Sequence, residues 1–297
     1  MSTAPHDRRS AGLTDPVRLG LIGDNIMRSR SPDLHRLAGR LSGLDVSYDL
    51  FIPREMGKDF DAVFDACRDA GLRGINVTYP YKEMVVSRLC IHDDLTRRIG
   101  SVNTVVFDPH GARGYNTDHT GFVAAYRAVF DDMAPGKVVL IGAGGVGKAV
   151  AFALLALGAD GLTIIDRDAG KARSLAAAIA TASKGAVAAS CGVDVDPAMD
   201  GAGGIVNCTP LGMHGHPGSP ARPELLRGLR WAFDAVYTPV DTQFKQQAEA
   251  AGIKVLSGFE LFFHQGVEAF RIFTGRTPAD LGSLRRMLLE IPPIDQG

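Results

Sequence analysis

The sequence predicts an α/β protein built from two domains. At 297 residues the chain is longer than one hydrophobic core commonly serves, so we expect two domains of moderate size. Short apolar runs alternate with helical stretches along almost the whole chain, which is typical of parallel sheets covered by helices. A glycine-rich turn joins an apolar run to a helix near residue 142, so the second half begins with a strand, a turn and a helix.

The composition and charge exclude several classes of protein. With 45% hydrophobic and 22% charged residues, the chain is neither disordered nor collagen-like. Its 32 Lys and Arg residues balance 33 Asp and Glu residues, and a net charge of -1 gives no general attraction for nucleic acid or anionic lipid. No apolar stretch is long enough to cross a bilayer, no signal peptide opens the chain, and four widely spaced cysteines favour reduced thiols. We therefore expect a cytoplasmic protein whose partners are neither nucleic acids nor membranes.

The first half alternates strands and helices after a tail. Residues 1–16 are polar and lack hydrophobic periodicity, and we predict that they are flexible. Ser31 is expected to cap a helix whose first residue is Pro32. The other predicted elements of this half are strands at Val17–Gly23, Val46–Ile52 and Gly74–Val77 and a helix at Gly57–Ala70.

The second half repeats this alternation. Its predicted strands are Val138–Ile141, Leu162–Asp166, Gly204–Pro210 and the runs at 231–237 and 253–258. One helix follows the glycine turn and ends near Leu157, and a second covers the stretch 168–182. A final helix begins near Gly258, because apolar residues recur there at helical spacing, namely Phe259, Phe263, Val267 and Phe270.

The glycine turn has the pattern of a dinucleotide-binding loop. Gly142, Gly144 and Gly147 stand at the Gly-x-Gly-x-x-Gly spacing, between a strand and a helix. Such glycines allow a tight turn, let the backbone approach a pyrophosphate, and permit close packing of the helix, whose N-terminus attracts phosphate. Asp166 ends the next strand, where an acid can accept hydrogen bonds from a ribose. Because these features coincide, we predict a Rossmann-type dinucleotide-binding domain and not a glycine turn that only packs.

The string Asn207-Cys-Thr-Pro-Leu-Gly-Met213 ends a later strand of the same predicted sheet. Ligands of such sheets bind beyond the carboxyl ends of the strands, so this loop is expected to line the nicotinamide pocket. His214 and His216 follow it as a His-x-His pair. No third ligand stands at a suitable spacing, so we predict no metal site.

Several polar strings end apolar runs in the first half. They are Ser29-Arg-Ser31, Asn76-Val-Thr-Tyr-Pro-Tyr-Lys82, Ser101-Val-Asn103-Thr and Gly114-Tyr-Asn-Thr-Asp118. Fixed hydroxyl and amide groups suit a polyol, and donors at a helix N-terminus suit a carboxylate. Taken singly, each residue also has a structural explanation, since Ser31 and Asp118 could cap helices and Asn103 could form a turn.

Together these strings resemble the shikimate dehydrogenases, including the quinate/shikimate branch. The matching strings, in chain order, are Ser-x-Ser-Pro-x-x-His35, Asn76-Val-Thr-x-Pro-x-Lys82, Gly100-x-Val-Asn-Thr104, Asn116-Thr-Asp118, GAGGVGKA, NCTPLGM and GFELFFHQGVEAF. They extend over about residues 17–290. The resemblance implies a discontinuous α/β substrate domain at 17–118 and 259–297, interrupted by the Rossmann-type domain at 119–258.

The activity implied by the resemblance is the reversible oxidation of shikimate to 3-dehydroshikimate, with hydride transfer to a nicotinamide and a Lys/Asp acid–base pair. Lys82 and Asp118 would form this catalytic pair, because removing a hydride from an alcohol carbon requires the hydroxyl proton to leave. Ser29 and Ser31 would hold the substrate carboxylate. The other substrate-binding residues that the resemblance implies are Asn76, Thr78, Asn103, Tyr237 and Gln265, with Asp118 also near a ring hydroxyl.

The resemblance also implies the residues that bind the cofactor. These are Gly142, Ala143, Gly144, Gly145, Val146, Gly147, Asp166, Arg167, Cys208, Thr209, Pro210, Met213, Val236 and Gly258. Many relatives that use NADP have Asn-Arg-Thr or Asn-Arg-Ser where this chain has Asp166-Arg167-Asp168, so we expect NAD to be preferred and NADP to bind more weakly. Two departures from the family pattern are Arg36, where many members have Asn, and Glu260, where many have a second glycine.

Several alternatives stay open at this point. A different Rossmann reductase that uses Tyr-x-x-x-Lys is disfavoured, because no tyrosine of the chain is followed four residues later by a lysine. A non-catalytic protein that binds NAD and a metabolite is the alternative outside the enzymes, and the presence of Lys82 and Asp118 argues against it. Shikimate, quinate and aminoshikimate are alternatives as the physiological substrate. The sequence also leaves open a biosynthetic or a catabolic role, and a monomer or a homodimer.

Overall fold

A computed structural model describes residues 16–292 of the chain. The predicted flexible tail lies outside this range except for Pro16. Two β-sheets and the helices around them make up an α/β architecture, as predicted. None of the helices in this part of the chain has the length and apolar character that a membrane crossing requires.

The first sheet has five strands in the order β2-β1-β3-β4-β5. Its strands are β1 (Val17–Ile22), β2 (Val46–Phe51), β3 (Gly74–Val77), β4 (Thr104–Asp108) and β5 (Gly111–Tyr115). The first three strands run parallel, whereas β4 pairs antiparallel with both β3 and β5. Its helices are α1 (Ser31–Leu41), α2 (Phe60–Asp69) and α3 (Asp94–Ile99), with a 3₁₀ turn at Met84–Arg88. Because of the antiparallel hairpin, the start of β4 lies at the same edge as the ends of β1, β3 and β5.

The second sheet has six parallel strands in the order β11-β10-β9-β6-β7-β8. They are β6 (Lys137–Ile141), β7 (Gly161–Ile165), β8 (Ala188–Gly192), β9 (Gly204–Asn207), β10 (Trp231–Asp234) and β11 (Lys254–Ser257). Between them lie α5 (Gly145–Ala156), α6 (Ala169–Ala182), α7 (Gln243–Ala250) and 3₁₀ turns at Pro197–Met199 and Pro223–Leu226. The chain winds outward in both directions from β6, so the crevice between the ends of β6 and β9 is the topological switch point where such sheets bind ligands.

Long helices connect the two sheets. They are α4 (Thr117–Phe130) and α8 (Gly258–Thr274), followed by α9 (Leu281–Glu290). Helix α4 begins at the edge of the first sheet, yet its Phe122 and Tyr126 rings pack edge-on against Phe233 and Trp231 of the second sheet. Helix α8 instead places Phe259, Phe263 and Phe270 in the core of the first sheet, beside α1. The two helices therefore fix the site residues of one sheet relative to the glycine turn of the other.

Some local predictions were wrong. Ser31 is the first residue of α1 and not its cap, because Arg30 occupies the cap position and the Ser31 hydroxyl instead accepts a hydrogen bond from Ser29 Oγ at 3.1 Å. Helix α2 starts three residues later than expected, where Asp59 caps it by accepting from the backbone N–H of Ala62. Helix α4 is capped by the Asn116 side chain, so the structural explanation of Asp118 as a helix cap does not hold.

Candidate active site

The polar strings of the first sheet meet at one edge, opposite the glycine turn of the second. Asn76 is the next-to-last residue of β3, Asn103 precedes β4, and Asp118 follows β5 at the start of α4. Backbone hydrogen bonds from Val77 to Asn103 and from Asn103 to Tyr115 hold these segments together. Strands that are remote in sequence thus bring their polar ends to one place, as is usual for ligand sites in α/β folds.

Lys82 and Asp118 form an ion pair at this edge. Lys82 Nζ lies 2.6 Å from Asp118 Oδ2, and the side chains are only 12% and 6% exposed. The Lys82 carbonyl accepts from the backbone N–H of Val102, which fixes the lysine beside β4. Asp118 belongs to the first turn of α4, where the helix dipole stabilises a carboxylate. The structure therefore joins the two residues predicted to be catalytic in one nearly buried pair.

Asn103, Thr117 and Gln265 form a hydrogen-bonded cluster next to this pair. Asn103 Nδ2 donates to Thr117 Oγ1 at 2.9 Å and to Gln265 Oε1 at 3.3 Å, while its Oδ1 accepts from the Thr117 N–H at 2.8 Å. Gln265 reaches the cluster because α8 crosses α4 closely at Gly121, where a Cβ would lie 2.7 Å from the Gln265 nitrogen. These contacts fix the two amide groups before any ligand binds.

The side chain of Asn76 is held in place by hydrogen bonds, one of them from Tyr48. The Tyr48 hydroxyl donates to Asn76 Oδ1 at 2.8 Å, and Asn76 Nδ2 donates to the Asn103 carbonyl and to Thr104 Oγ1. Both amide hydrogens of Asn76 are thus engaged within the protein, and its side chain also has a hydrogen bond with the buried His35 ring. Thr78 follows directly, and its backbone N–H donates to the Ile22 carbonyl, which ties the ends of β1 and β3 together.

Ser29, Ser31 and Tyr237 cluster at the start of α1. The two serine hydroxyls are 3.1 Å apart, and the Ser31 backbone N–H also points to Ser29 Oγ at 3.3 Å. The Tyr237 ring stacks on Phe262 with 4.8 Å between ring centres. Burial raises the pKa of Tyr237, while its hydrogen bond to Ser29 opposes the shift, so the phenol stays protonated and can donate. Three hydroxyl donors beside a helix N-terminus suit a carboxylate.

Each of the three predicted glycines of the turn has a different structural role. Gly142 has a φ of +101°, and a Cβ there would lie 2.8 Å from the Cys208 backbone. A Cβ at Gly147 would lie 1.8 Å from the Gly142 carbonyl oxygen, so α5 can pack on the turn only without a side chain. At Gly144, in contrast, no described atom lies within 4 Å of the added Cβ. This open cradle precedes a helix start without a side-chain cap, and it fits a dinucleotide pyrophosphate.

The acids after β7 have structural contacts of their own. Asp166 Oδ2 accepts from the Ala143 N–H at 2.7 Å and Oδ1 accepts from the Asp168 N–H at 2.8 Å. Asp168 caps α6 through the Gly170 and Lys171 N–H groups. Each Asp166 oxygen keeps a lone pair for a ribose hydroxyl. Arg167, between the two acids, is exposed.

The remaining residues predicted to bind the cofactor lie around the switch point. Cys208 and Thr209 pack against Gly142 and follow β9, and the Met213 N–H donates to the Pro210 carbonyl. A Cβ at Gly258 would lie 2.7 Å from the Val236 carbonyl oxygen, so the ends of β10 and β11 touch there. Burial raises the pKa of the Cys208 thiol, which keeps it neutral. Gly145 and Val146, also in this group, lie in the first turn of α5, which follows β6.

A buried polar network under this loop was missed by the sequence analysis. Asn207 Nδ2 donates to Asp234 Oδ1 at 2.9 Å, and the Thr242 hydroxyl donates to Asp234 Oδ2. Asn207 Oδ1 in turn accepts from the Thr209 hydroxyl at 2.7 Å. Burial raises the pKa of Asp234, and these hydrogen bonds oppose the shift. The signal in the sequence was an Asp at the end of the buried run Trp231–Asp234.

Comparison with known proteins agrees with this geometry. Residues 21–105 match the family model described as shikimate dehydrogenase substrate binding domain, and residues 125–189 match the one described as shikimate / quinate 5-dehydrogenase. A quinate/shikimate dehydrogenase (NAD(+)) of Corynebacterium efficiens is 38% identical over 93% of this chain and 99% of its own length. The chain belongs to the shikimate/quinate dehydrogenase family. The resemblance predicted from the sequence is thereby confirmed.

Relatives in this family differ in the cofactor they are named for. A shikimate dehydrogenase (NADP(+)) of Pseudarthrobacter chlorophenolicus is 39% identical over 94% of this chain and 96% of its own length. The structure of quinate dehydrogenase from Corynebacterium glutamicum in complex with NAD superposes with a TM-score of 0.83 at 37% identity, covering 93% of this chain and 99% of that one. Shikimate 5-dehydrogenase from Thermus thermophilus with NADP(H) and shikimate gives a TM-score of 0.79 at 31% identity, with 92% and 98% covered.

The departure from the family pattern at Glu260 has a structural explanation. The Glu260 carboxylate pairs with Arg285 of α9, and the Arg285 guanidinium also lies over the Phe259 ring. The extra side chain is thus directed to the interface between α8 and α9. Arg36, the other departure, donates from Nη2 to the Tyr48 carbonyl at 2.8 Å and so supports the strand that carries the brace of Asn76.

Proposed function

We propose that this protein catalyses the reversible NAD(P)-dependent oxidation of shikimate to 3-dehydroshikimate. We propose quinate as a second substrate of the same site. The observation that carries the proposal is the nearly buried Lys82–Asp118 pair, whose lysine stem packs against Gly145 beside the glycine turn. Family membership supports the same reaction, because relatives over most of the chain are named for shikimate or quinate and for NAD or NADP.

Lys82 performs the proton transfer of this reaction. Bound nicotinamide supplies the acceptor for the hydride that leaves the alcohol carbon. The hydroxyl proton passes to the amine form of Lys82 as the hydride leaves, and it returns from the ammonium form in the reverse direction. Asp118, 2.6 Å away, orients the amine and stabilises the ammonium that forms. Electrons and protons balance, because one hydride and one proton leave the alcohol for each carbonyl formed.

The other polar groups bind and orient the substrate. Ser29, Ser31 and Tyr237 suit the carboxylate, since all three are hydroxyl donors near the start of α1. Thr78, Asn103 and Gln265 suit the ring hydroxyls, and Asn103 is fixed by its contacts to Thr117. Asn76, whose amide hydrogens are engaged, helps to position Asn103 by donating to its carbonyl.

NAD is the cofactor that the site fits best. The cradle at Gly144 and the N-terminus of α5 suit the pyrophosphate, and Asp166 suits the free ribose hydroxyls. A 2′-phosphate would approach the carboxylates of Asp166 and Asp168, with the exposed Arg167 between them as a countercharge. NADP is therefore expected to bind more weakly.

The domain division and the cellular context belong to the same proposal. We propose a substrate domain at 17–118 and 259–297 and a nucleotide domain at 119–258. The strands of the first sheet lie between residues 17 and 115 and those of the second between 137 and 257, which supports this division. We further propose a cytoplasmic enzyme that works as a monomer or a homodimer on small molecules.

The test is a matrix of four assays, with shikimate and quinate each combined with NAD and NADP. We expect reduced nicotinamide and 3-dehydroshikimate, identified by mass, to form fastest with shikimate and NAD. Lys82→Met protein is the matched control for background reduction. If the wild-type protein binds NAD and shikimate in calorimetry but forms no product, it is a metabolite-binding protein and not a dehydrogenase.

A further inference from the structure

The first turn of α5 packs directly against the segment that carries Lys82. A Cβ added at Gly145 would lie 3.0 Å from Lys82 Cβ and 3.3 Å from Lys82 Cδ, so the lysine stem rests on the bare backbone of the helix. Ser101 Oγ donates to the Gly145 carbonyl at 3.0 Å. The helix that borders the predicted cofactor cradle therefore also packs against the side chain of Lys82.

One ion pair joins the same two segments a turn further along α5. Lys148 Nζ lies 2.6 Å from Glu83 Oε2, with side chains that are 23% and 38% exposed. Glu83 directly follows Lys82 in the chain, and Lys148 stands four residues after Gly144. The pair thus connects the helix of the nucleotide sheet to the residue next to the catalytic lysine, 65 residues away in sequence.

We propose that Lys148 and Glu83 are positioning residues, whose ion pair holds Lys82 against α5 and at the reacting hydroxyl. The inference rests on the proposed role of Lys82 as the proton-transfer group. The Lys82 side chain is long and flexible, and Gly145 and Asp118 restrain its stem and tip. The Lys148–Glu83 pair restrains the backbone on which that side chain is built.

The expected effect is on turnover and not on global stability. A partly exposed ion pair adds little to the free energy of unfolding, whereas a displacement of about 1 Å at a reacting group can lower the rate roughly 10²-fold. We therefore expect Lys148→Met and Glu83→Gln each to lower kcat roughly 10-fold to 10²-fold, with KM for shikimate and for NAD changed by less than about 3-fold. The double variant should be no worse than the worse single one.

Controls separate this role from others. Lys148→Arg keeps the ion pair and should retain wild-type kcat. Lys245→Met, which removes a lysine paired with Asp241 and Glu249 on α7, should also leave kcat unchanged. If Lys148 instead binds cofactor phosphates, Lys148→Met will raise KM for NAD while Glu83→Gln leaves kcat unchanged. That result would overturn the proposal.

A second measurement needs neither substrate nor cofactor. Amide hydrogen exchange in residues 82–89 should be faster in Lys148→Met and Glu83→Gln than in wild type, Lys148→Arg or Lys245→Met, at unchanged melting temperature. Unchanged exchange in both pair-breaking variants would overturn the positioning role. Lack of shikimate turnover by the wild-type protein would refute the proposed function, while the exchange data would still decide whether the pair restrains this segment.

Discussion

Replacing Lys82 by methionine separates what the Lys82–Asp118 pair contributes to stability from what it contributes to chemistry. The change leaves a carboxylate that is only 6% exposed without its cation. Removing one partner of a buried ion pair costs about 3 to 5 kcal/mol, and we expect about 3, because neither side chain is completely buried. Asp118→Asn should cost a similar amount, since it leaves Lys82 unpaired. The double variant carries no charge here, so it should be more stable than the sum of the two losses implies.

Turnover should follow a different pattern from stability. General acid–base groups contribute roughly 10²-fold to 10⁴-fold, so Lys82→Met should lose that factor in kcat while NAD binding stays near the wild-type value. Asp118→Asn should lose turnover as well. We expect the double variant to remain inactive even though part of its stability is recovered. Urea unfolding and steady-state kinetics on all four proteins test this, and near wild-type turnover in Lys82→Met would refute the assignment.

Three further predictions concern binding and pH. Ser29→Ala should weaken recognition of shikimate by about 1.5 to 3 kcal/mol and leave an analogue without the carboxylate unaffected, as measured by calorimetry. Wild-type protein should prefer NAD over NADP by roughly 10²-fold in kcat/KM, and Asp166→Asn should lose most of that preference. A wild-type preference for NADP would contradict the role assigned to Asp166. Burial lowers the pKa of His35 from 6.5 to about 3, so the unfolded chain takes up a proton below pH 6.5 that the native state refuses. The contribution of His35 to the free energy of unfolding is fully present above that pH and should fall by about 2 kcal/mol by pH 5. The fall should be smaller in His35→Gln, as measured by urea unfolding at both pH values. Part of it should remain in that variant, because burial also lowers the pKa values of His119 and His264.

The sequence predicted those strands that form apolar runs between clear turns. Each parallel strand of the second sheet except β8 was found, because the buried runs stand out against polar loops. Strand β8, Ala188–Gly192, was missed since it is an edge strand of small and mostly exposed residues. The hairpin of β4 and β5 was missed too, because Gly111–Tyr115 has one fully buried residue and no alternation of apolar and polar side chains.

Sequence motifs predicted which residues belong to the site, but not which of them are in contact. Lys82 and Asp118 belong to strings with a family pattern, yet nothing in their spacing of 36 residues says that they touch. Tyr48, which donates to the side-chain amide of Asn76, belongs to no motif, and its contact depends on strand order. Strand β1 lies between β2, which carries Tyr48, and β3, which carries Asn76. Such neighbours are set by the packing of whole elements, so local sequence does not encode them.

The glycine turn allows a last test in which two glycines of one motif should fail in different ways. Gly144→Val places its side chain in open space at ordinary β-region backbone angles, so the melting temperature should stay near the wild-type value. The same side chain fills the cradle proposed for the pyrophosphate, so the Kd for NAD should rise at least about 10-fold, or about 1.4 kcal/mol. Gly147→Ala instead puts a methyl group 1.8 Å from the Gly142 carbonyl oxygen, which no side-chain rotation relieves. It should cost about 3 kcal/mol or more in stability. Calorimetric NAD titration and thermal melts decide the matter, and wild-type NAD affinity in Gly144→Val would mean that the pyrophosphate binds elsewhere.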